Sequence, residues 1–165
     1  MHDTPTRGRN LTRLFCALLA LLVIIADQIT KAMVERSIPE GTVVPVFPGF
    51  FNLTHTTNTG VAFGIFSGSP ALWKMVLLIV VSAALIGAVA SFIWRSRQLS
   101  WEAAAGFALV LGGALSNLAD RIRAGQVVDF LDVYWRSYHW YAFNLADSAI
   151  VVGGGFLVIQ FLFSE

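Results

Sequence analysis

Charge is scarce in this sequence: only 13% of its 165 residues are Asp, Glu, Lys or Arg, where a soluble domain carries about 25%. The formal net charge is only +1, so no basic excess points to a nucleic-acid partner. Cysteine is nearly absent. The single Cys16 excludes an intramolecular disulfide and sits in an apolar run with no metal-ligand spacing around it. The three histidines, His2, His55 and His139, are scattered, and no H-E-x-x-H segment exists to build a zinc hydrolase. No G-x-S-x-G elbow is present either, which disfavours serine hydrolysis. What is abundant is apolar surface: 56% of residues are hydrophobic and mean hydropathy is +0.70. The composition is that of a single domain built from a few membrane spans.

Four spans are expected. The first covers about residues 14–34. Its uninterrupted apolar run, Leu14 to Ala26, is shorter than the ~20 residues a bilayer needs. The helix must therefore continue through Asp27, Gln28 and Lys31. Arg7, Arg9 and Arg13 precede the run as in a signal peptide, but no A-x-A-like cleavage site follows, and an uncleaved span is the expectation. The others cover about 71–94, 101–119 and 141–163. Between the first two, residues 37–70 are broken by Pro39, Pro45, Pro48, Pro70 and several glycines. Thr42–Val44 and Phe50–His55 read there as short β segments. A polar loop over 121–140 carries Tyr134, Trp135, Tyr138 and Trp140, aromatics suited to the headgroup level. His55 and His139 read as ordinary interface residues.

Even membership of four spans puts both termini on one side. That side holds Arg7, Arg9, Arg13, Arg95 and Arg97; the other holds Lys31, Arg36, Lys74, Arg121, Arg123 and Arg136. The raw count decides nothing. Weighting the first helix, and pairing Lys31 and Arg121 with acids, puts the termini in the cytoplasm.

Against this apolar background four carboxylates stand out: Asp27, Asp120, Asp129 and Asp147. A charge near the bilayer centre costs at least ~2.5–3.5 kcal/mol on insertion scales, so such residues are functional candidates. Asp27 and Lys31, four apart, can pair on one helix face. Asn117, Asp120 and Arg121 share a stripe, as do Asn144, Asp147 and Ser148. The topology brings all these clusters to one membrane boundary, together with Asn58. Carboxylates held close together share a proton, one taking a proton from water while the other polarises a carbonyl. That is amide hydrolysis without a metal. Residue types alone leave Asp120, Asp129, Asp132 and Asp147 as candidates for the pair, with Asn117 and Arg121 as partners for Asp120. A small ion-coupled transporter is the rival reading, although its acids belong near mid-bilayer. A non-enzymatic assembly partner is a second.

The motifs, in order, resemble those of bacterial lipoprotein signal peptidase, or signal peptidase II. They are Asp27-Gln28-Ile29-Thr30-Lys31, Asn58-Thr59-Gly60-Val61-Ala62-Phe63, the Gly112–Arg121 segment G-G-A-L-S-N-L-A-D-R, Val127-Val128-Asp129-Phe130 and Phe143-Asn144-Leu145-Ala146-Asp147-Ser148. The resemblance spans residues 14–163. One position departs from it: Ser116 stands where the family usually has Gly, a place where a hydroxymethyl group can perturb close helix packing, and the sequence leaves its effect open.

The resemblance implies an all-α integral membrane protein of the bacterial inner membrane. Its four spans would carry a small extracytoplasmic β-cradle, fitted by residues 37–70, and an outer loop closing over the site, fitted by Arg121–Trp140. It implies an aspartic endopeptidase with Asp129 and Asp147 as the catalytic dyad. Asp27, Lys31, Asn58, Gly60, Asn117, Asp120, Arg121 and Asn144 would bind or support. The substrates implied are prolipoproteins carrying diacylglycerol on a cysteine, cut just before that cysteine. No cofactor and no metal are expected, the partners are substrate and membrane lipid, and the protein is expected to act as a monomer.

Overall fold

A computed structural model describes residues 5–60, 72–96 and 98–163. Val61, Ala62 and Phe63 of the Asn58 motif, the Gly- and Pro-containing remainder of the 37–70 segment, and Arg97 lie outside the described residues. Four helices are long and apolar enough to cross a membrane: α1 (Pro5–Ser37), α2 (Leu72–Arg95), α3 (Trp101–Ala124) and α4 (Leu145–Phe163). The first is longer at both ends than its apolar run, because the flanking polar residues are themselves compatible with a helix until Pro39 stops it. The third runs five residues past its expected end. Ser100 caps its start, accepting from the Ala103 N–H at 3.2 Å, and Gly125 closes it in the left-handed conformation at φ 71°. The fourth starts at Leu145 rather than 141, since Phe143 is still extended and bridges to Leu131.

Helix α3 is the central post, touching each of the other three. Small residues make this possible, as in many packed membrane helices. A Cβ added to Gly112 would lie 2.7 Å from the Ala20 carbonyl oxygen of α1, and one added to Gly113 would run into the carbonyl of Ala146 in α4. Two adjacent glycines thus let two backbones close on opposite flanks of α3. Large apolar side chains such as Leu18, Leu22, Val80, Val81, Val151 and Ile159 face outward instead. For a soluble fold that would be an exposed core; here it is the lipid-facing surface.

A four-stranded antiparallel sheet in the order β1-β2-β3-β4 sits at one end of the bundle. Its strands are β1 (Val43–Phe47), β2 (Phe51–Asn58), β3 (Val127–Trp135) and the short β4 (Tyr138–His139). The 121–140 segment is therefore not a free loop. It comprises the last turn of α3, the central strand β3 and the start of β4. The run Val127-Val128-Asp129-Phe130-Leu131-Asp132-Val133-Tyr134-Trp135 is β-branched and aromatic, which suits a strand once a neighbour offers an edge. Alternation then aims the side chains. Val128 and Phe130 cluster with Val34 and Ile38 near the end of α1, while Asp129 projects to the other face. His55 fixes the sheet to α1, its ring Nδ1–H donating to the Ile38 carbonyl at 2.7 Å.

The close approach of α3 and α4 has a direct test. Gly113→Ala should lower stability by at least ~1–3 kcal/mol, the usual cost of overpacking, whereas Gly154→Ala, with nothing within 4 Å of its added Cβ, should change it little. Thermal unfolding of the two detergent-solubilised variants decides. Equal melting temperatures would show that the helices have room to separate.

Candidate active site

The C-terminal ends of α1 and α3, the start of α4 and strand β3 meet in one buried polar cluster. Its centre is Lys31, only 4% exposed. The ammonium lies 2.6 Å from Asp27 Oδ2 and 2.6 Å from Asp120 Oδ2 and donates to Asn117 Oδ1 at 3.0 Å. All three Lys31 donors are thereby matched. The i,i+4 pair within α1 forms as spacing predicts, but Asp120 differs from expectation. Its partners are Lys31, Gln28 at 2.8 Å and Arg123 at 3.3 Å, not Arg121. The turn of about 100° between consecutive helical residues is the reason: Asp120 faces α1, while Arg121 is turned toward the sheet. There Arg121 donates to the Gly60 carbonyl at 3.0 Å and to the Asn117 carbonyl at 3.3 Å.

Asp27 carries the cluster onward to α4. Its Oδ1 accepts the backbone N–H of Ala146 at 2.9 Å, one of the four donors a helix start leaves without an internal partner. The remaining start of α4 caps itself. Asn144 Oδ1 accepts the Asp147 N–H at 2.9 Å, and Asp147 Oδ2 accepts the Asn144 N–H at 3.3 Å. This is a reciprocal capping box with Asn and Asp in place of Ser and Glu. The positive end of the α4 dipole lies at the same spot and favours both carboxylates.

Two amides then join Asp129 to Asp147. Asn144 Nδ2 donates to Asp129 Oδ1 at 2.7 Å, Asn117 Nδ2 donates to Asp147 Oδ1 at 2.8 Å, and Asn144 Nδ2 reaches Asn117 Oδ1 at 3.3 Å. Asn58, opposite Val127 in the sheet, donates to Asp129 Oδ2 at 2.9 Å, and its own Oδ1 accepts the Gly60 N–H at 2.8 Å. Burial pushes the Asp129 carboxyl up to about 6. The bonds from Asn58 and Asn144 and the charge of Lys31 pull it down, while the charge of Asp147 adds to the rise. Asp129 and Asp147 are thus held in one amide-lined site with their charges interacting.

All ten residues singled out from the sequence belong to this assembly. Asp132, the remaining candidate, does not. It lies further along β3, accepting from Asn52 at 2.7 Å and pairing with His139 at 2.9 Å. Sequence reasoning noted Ser116 only as a packing departure and missed its polar role. Completely buried, its hydroxyl donates to Asp27 Oδ2 at 2.7 Å and accepts from Gln28 Nε2 at 3.0 Å. The hydroxymethyl group fills a polar gap between α1 and α3. Its spacing of i,i+4 from Asp120, on the same α3 stripe, was the available signal. Arg123 was missed too, and it bonds Gln28 at the rim. A cavity of about 300 Å³ lined by Glu35, Arg123 and Gln126 opens beside Lys31 and Asp120, which keeps Asp120 wetter than Asp27.

A graded loss of stability follows from these partners. Lys31→Met strands two buried carboxylates and should cost the most, ~3–5 kcal/mol. Asp120→Asn leaves the Lys31–Asp27 pair intact, and Ser116→Ala removes one hydrogen-bond donor at ~1–3 kcal/mol. Both should fall between Lys31→Met and the wild type when folded yield and unfolding are measured in detergent. A Lys31→Met protein as stable as the wild type would sink this account of the cluster.

Comparison with known proteins agrees with the motif pattern. The family described as signal peptidase (SPase) II matches residues 19–163. Among curated relatives, the lipoprotein signal peptidase of Solibacter usitatus is 43% identical over 143 residues, 87% of each chain. That of Desulforapulum autotrophicum is 43% identical over 159 residues, 95% of this chain and 96% of the relative. Two solved structures of bacterial membrane enzymes are also similar. One has a TM-score of 0.81 at 32% identity, covering 90% of this chain and 87% of the other. The second has 0.78 at 31%, covering 92% and 94%. The transporter reading gains no support from these matches, and the carboxylates gather at one end of the bundle rather than halfway along it.

Proposed function

The chain belongs to the signal peptidase II family, multi-pass bacterial membrane proteases that remove signal peptides from prolipoproteins, and on that premise we propose that it works as an aspartic endopeptidase. Asp129 and Asp147 form the dyad. The observation that carries this reading is the pair of amide bridges, Asn144 to Asp129 and Asn117 to Asp147, which orient two carboxyl groups while leaving them to share one proton. The ionised member takes a proton from a water molecule, and that water attacks the scissile carbonyl. The protonated member donates to the carbonyl oxygen as it becomes tetrahedral. Collapse of the intermediate breaks the C–N bond and delivers a proton to the leaving amine. No metal enters any step.

Asn58, Asn117 and Asn144 hold the dyad, and Asp27, Lys31 and Asp120 hold the helices that carry it. Arg121 and Gly60 set the floor beside it through their mutual hydrogen bond. The substrate is a prolipoprotein whose cysteine already bears diacylglycerol. Its acyl chains lie in the bilayer against the outward-facing apolar helices, and its glyceryl-cysteine reaches the boundary where the dyad sits. The termini lie in the cytoplasm and the dyad faces the opposite, periplasmic side. One chain supplies every residue of the site, so a monomer suffices.

Asp129→Asn and Asp147→Asn should each remain folded and lose ~10²–10⁴ in turnover, the span for losing an acid–base group. The assay is cleavage of a diacylglyceryl-modified prolipoprotein by purified protein, with and without a chelator. Normal turnover in either variant would remove that residue from the dyad, and loss of wild-type cleavage on chelation would overturn the metal-free mechanism.

The pH profile is a separate check. Because the reaction needs one proton on the pair, kcat/KM should fall on the alkaline side with an apparent pKa of about 6, a value belonging to the pair. Bound substrate excludes water and should move the corresponding limb of kcat to higher pH. Stability carries the same sign: a carboxyl whose folded pKa is raised contributes fully below its unfolded value near ~4, and that contribution is lost as pH rises through about 6. Asp129→Asn should flatten that part of the stability curve. An unchanged slope between pH 4 and 7 would show that Asp129 does not titrate there.

A further inference from the structure

The end of the bundle away from the polar cluster carries arginines that no acid pairs among the described residues. We infer that the groove at the joined ends of α1 and α2 binds an anionic phospholipid of the membrane leaflet on the side of the termini.

Arg9 and Arg13, four apart, share one face of α1. The Arg13 guanidinium lies over the Trp94 ring, 4.1 Å from its centroid, and bonds the Trp94 carbonyl, so it closes the end of α2 where the helix dipole is negative. Arg9 makes no hydrogen bond or ion pair among the described residues, and the Nε atoms of both arginines are buried without a partner. Arg95 stands in the last turn of α2 and likewise makes no hydrogen bond or ion pair among the described residues. Among the described residues no acid pairs with this charge: the first turn of α1 contains none, and Glu102, at the start of α3, forms no ion pair with a described residue.

The shape beside these arginines suits a lipid. A groove of about 470 Å³ is lined by Ala88, Ser91, Phe92, Arg95 and Ser96. Ser96 is also part of the wall of a narrow cleft formed with Arg9, Thr12 and Arg13. The groove therefore offers an apolar floor at Ala88 and Phe92 for an acyl chain, and a polar lip at Ser91, Arg95 and Ser96 for a phosphodiester. Trp94 and Trp101, both exposed, set this end at headgroup depth. Basic pockets between helices at this depth recognise anionic headgroups. A zwitterionic lipid would bring its own ammonium up to the arginines, so the charge pattern selects a phosphate without a cationic headgroup.

The test compares wild type with Arg9→Gln/Arg95→Gln, substitutions far from Asp129 and Asp147, in phosphatidylcholine bilayers with and without one-fifth phosphatidylglycerol. Phosphatidylglycerol should raise the wild-type melting temperature by about 3 °C or more, and native mass spectrometry should find it retained. The double variant should lose both effects while keeping its cleavage rate in detergent. If the double variant folds poorly, Arg95→Gln alone serves, since Arg95 is exposed and makes no hydrogen bond or ion pair among the described residues; it should retain at least ~3-fold less phosphatidylglycerol. Equal stabilisation and retention in wild type and variants would overturn the site in favour of diffuse attraction by the whole surface. Stabilisation reproduced by millimolar inorganic phosphate in pure phosphatidylcholine would overturn the lipid as its ligand.

Discussion

The buried ammonium of Lys31 is the constraint around which the rest is arranged. A cation at this depth has no water to fall back on, so its donors must be met by fixed acceptors. Asp27, Asp120 and Asn117 meet them. In doing so they lock α1 to α3 at a single rotation and height, because the two carboxylates and the amide come from different turns of two helices. Asp27 then extends the lock to α4 through the Ala146 N–H. Glycines at 112 and 113 are the steric counterpart: without their close backbone approach, none of these side chains would span the gap.

Folding and chemistry draw on the same atoms at the start of α4. Asn144 and Asp147 cap the helix for each other, yet Asn144 also holds Asp129 and Asp147 also receives Asn117. A carboxylate at the third position of a helix is stabilised by the dipole whether or not it reacts. Using that position for a member of the proposed dyad fixes its rotamer at no further cost in ordering. On the other side, strand alternation does the same for Asp129, since Val128 and Phe130 are committed to the apolar contact with Val34 and Ile38. One carboxyl is aimed by helix capping and the other by pleat.

Much of this was legible in the sequence because it is local. The Asp27–Lys31 spacing, the polar stripes of α3 and α4, and the apolar runs all depend on helical periodicity, which neighbouring residues specify. What escaped depends on partners distant in the chain. Residues 121–140 read as a loop because their strand character is realised only against β2, which lies some seventy positions earlier; the register Thr56 with Asp129 leaves no local trace. Asp120 carries an arginine next to it in sequence, yet consecutive helical residues point about 100° apart, and its true cation comes from another helix. The effect of Ser116 stayed open because a hydroxyl can be judged only by what faces it, here Asp27 and Gln28.

Charge balance links the supporting cluster to the proposed mechanism. The assembly contains four carboxylates, Asp27, Asp120, Asp129 and Asp147. Three cations accompany them: Lys31 between two acids, Arg121 beneath Asn117, and Arg123 at the rim against Asp120. With every group ionised, one negative charge is left over, and it belongs to the pair that has amides rather than cations as direct partners. In a site of low dielectric that surplus is costly, and the least expensive remedy is one proton on Asp129 or Asp147. The same singly protonated pair is the form that water activation and carbonyl polarisation require. On the proposed mechanism the supporting residues therefore do more than hold the dyad in place: by neutralising two of the four acids and leaving the other two to share, they favour its singly protonated form.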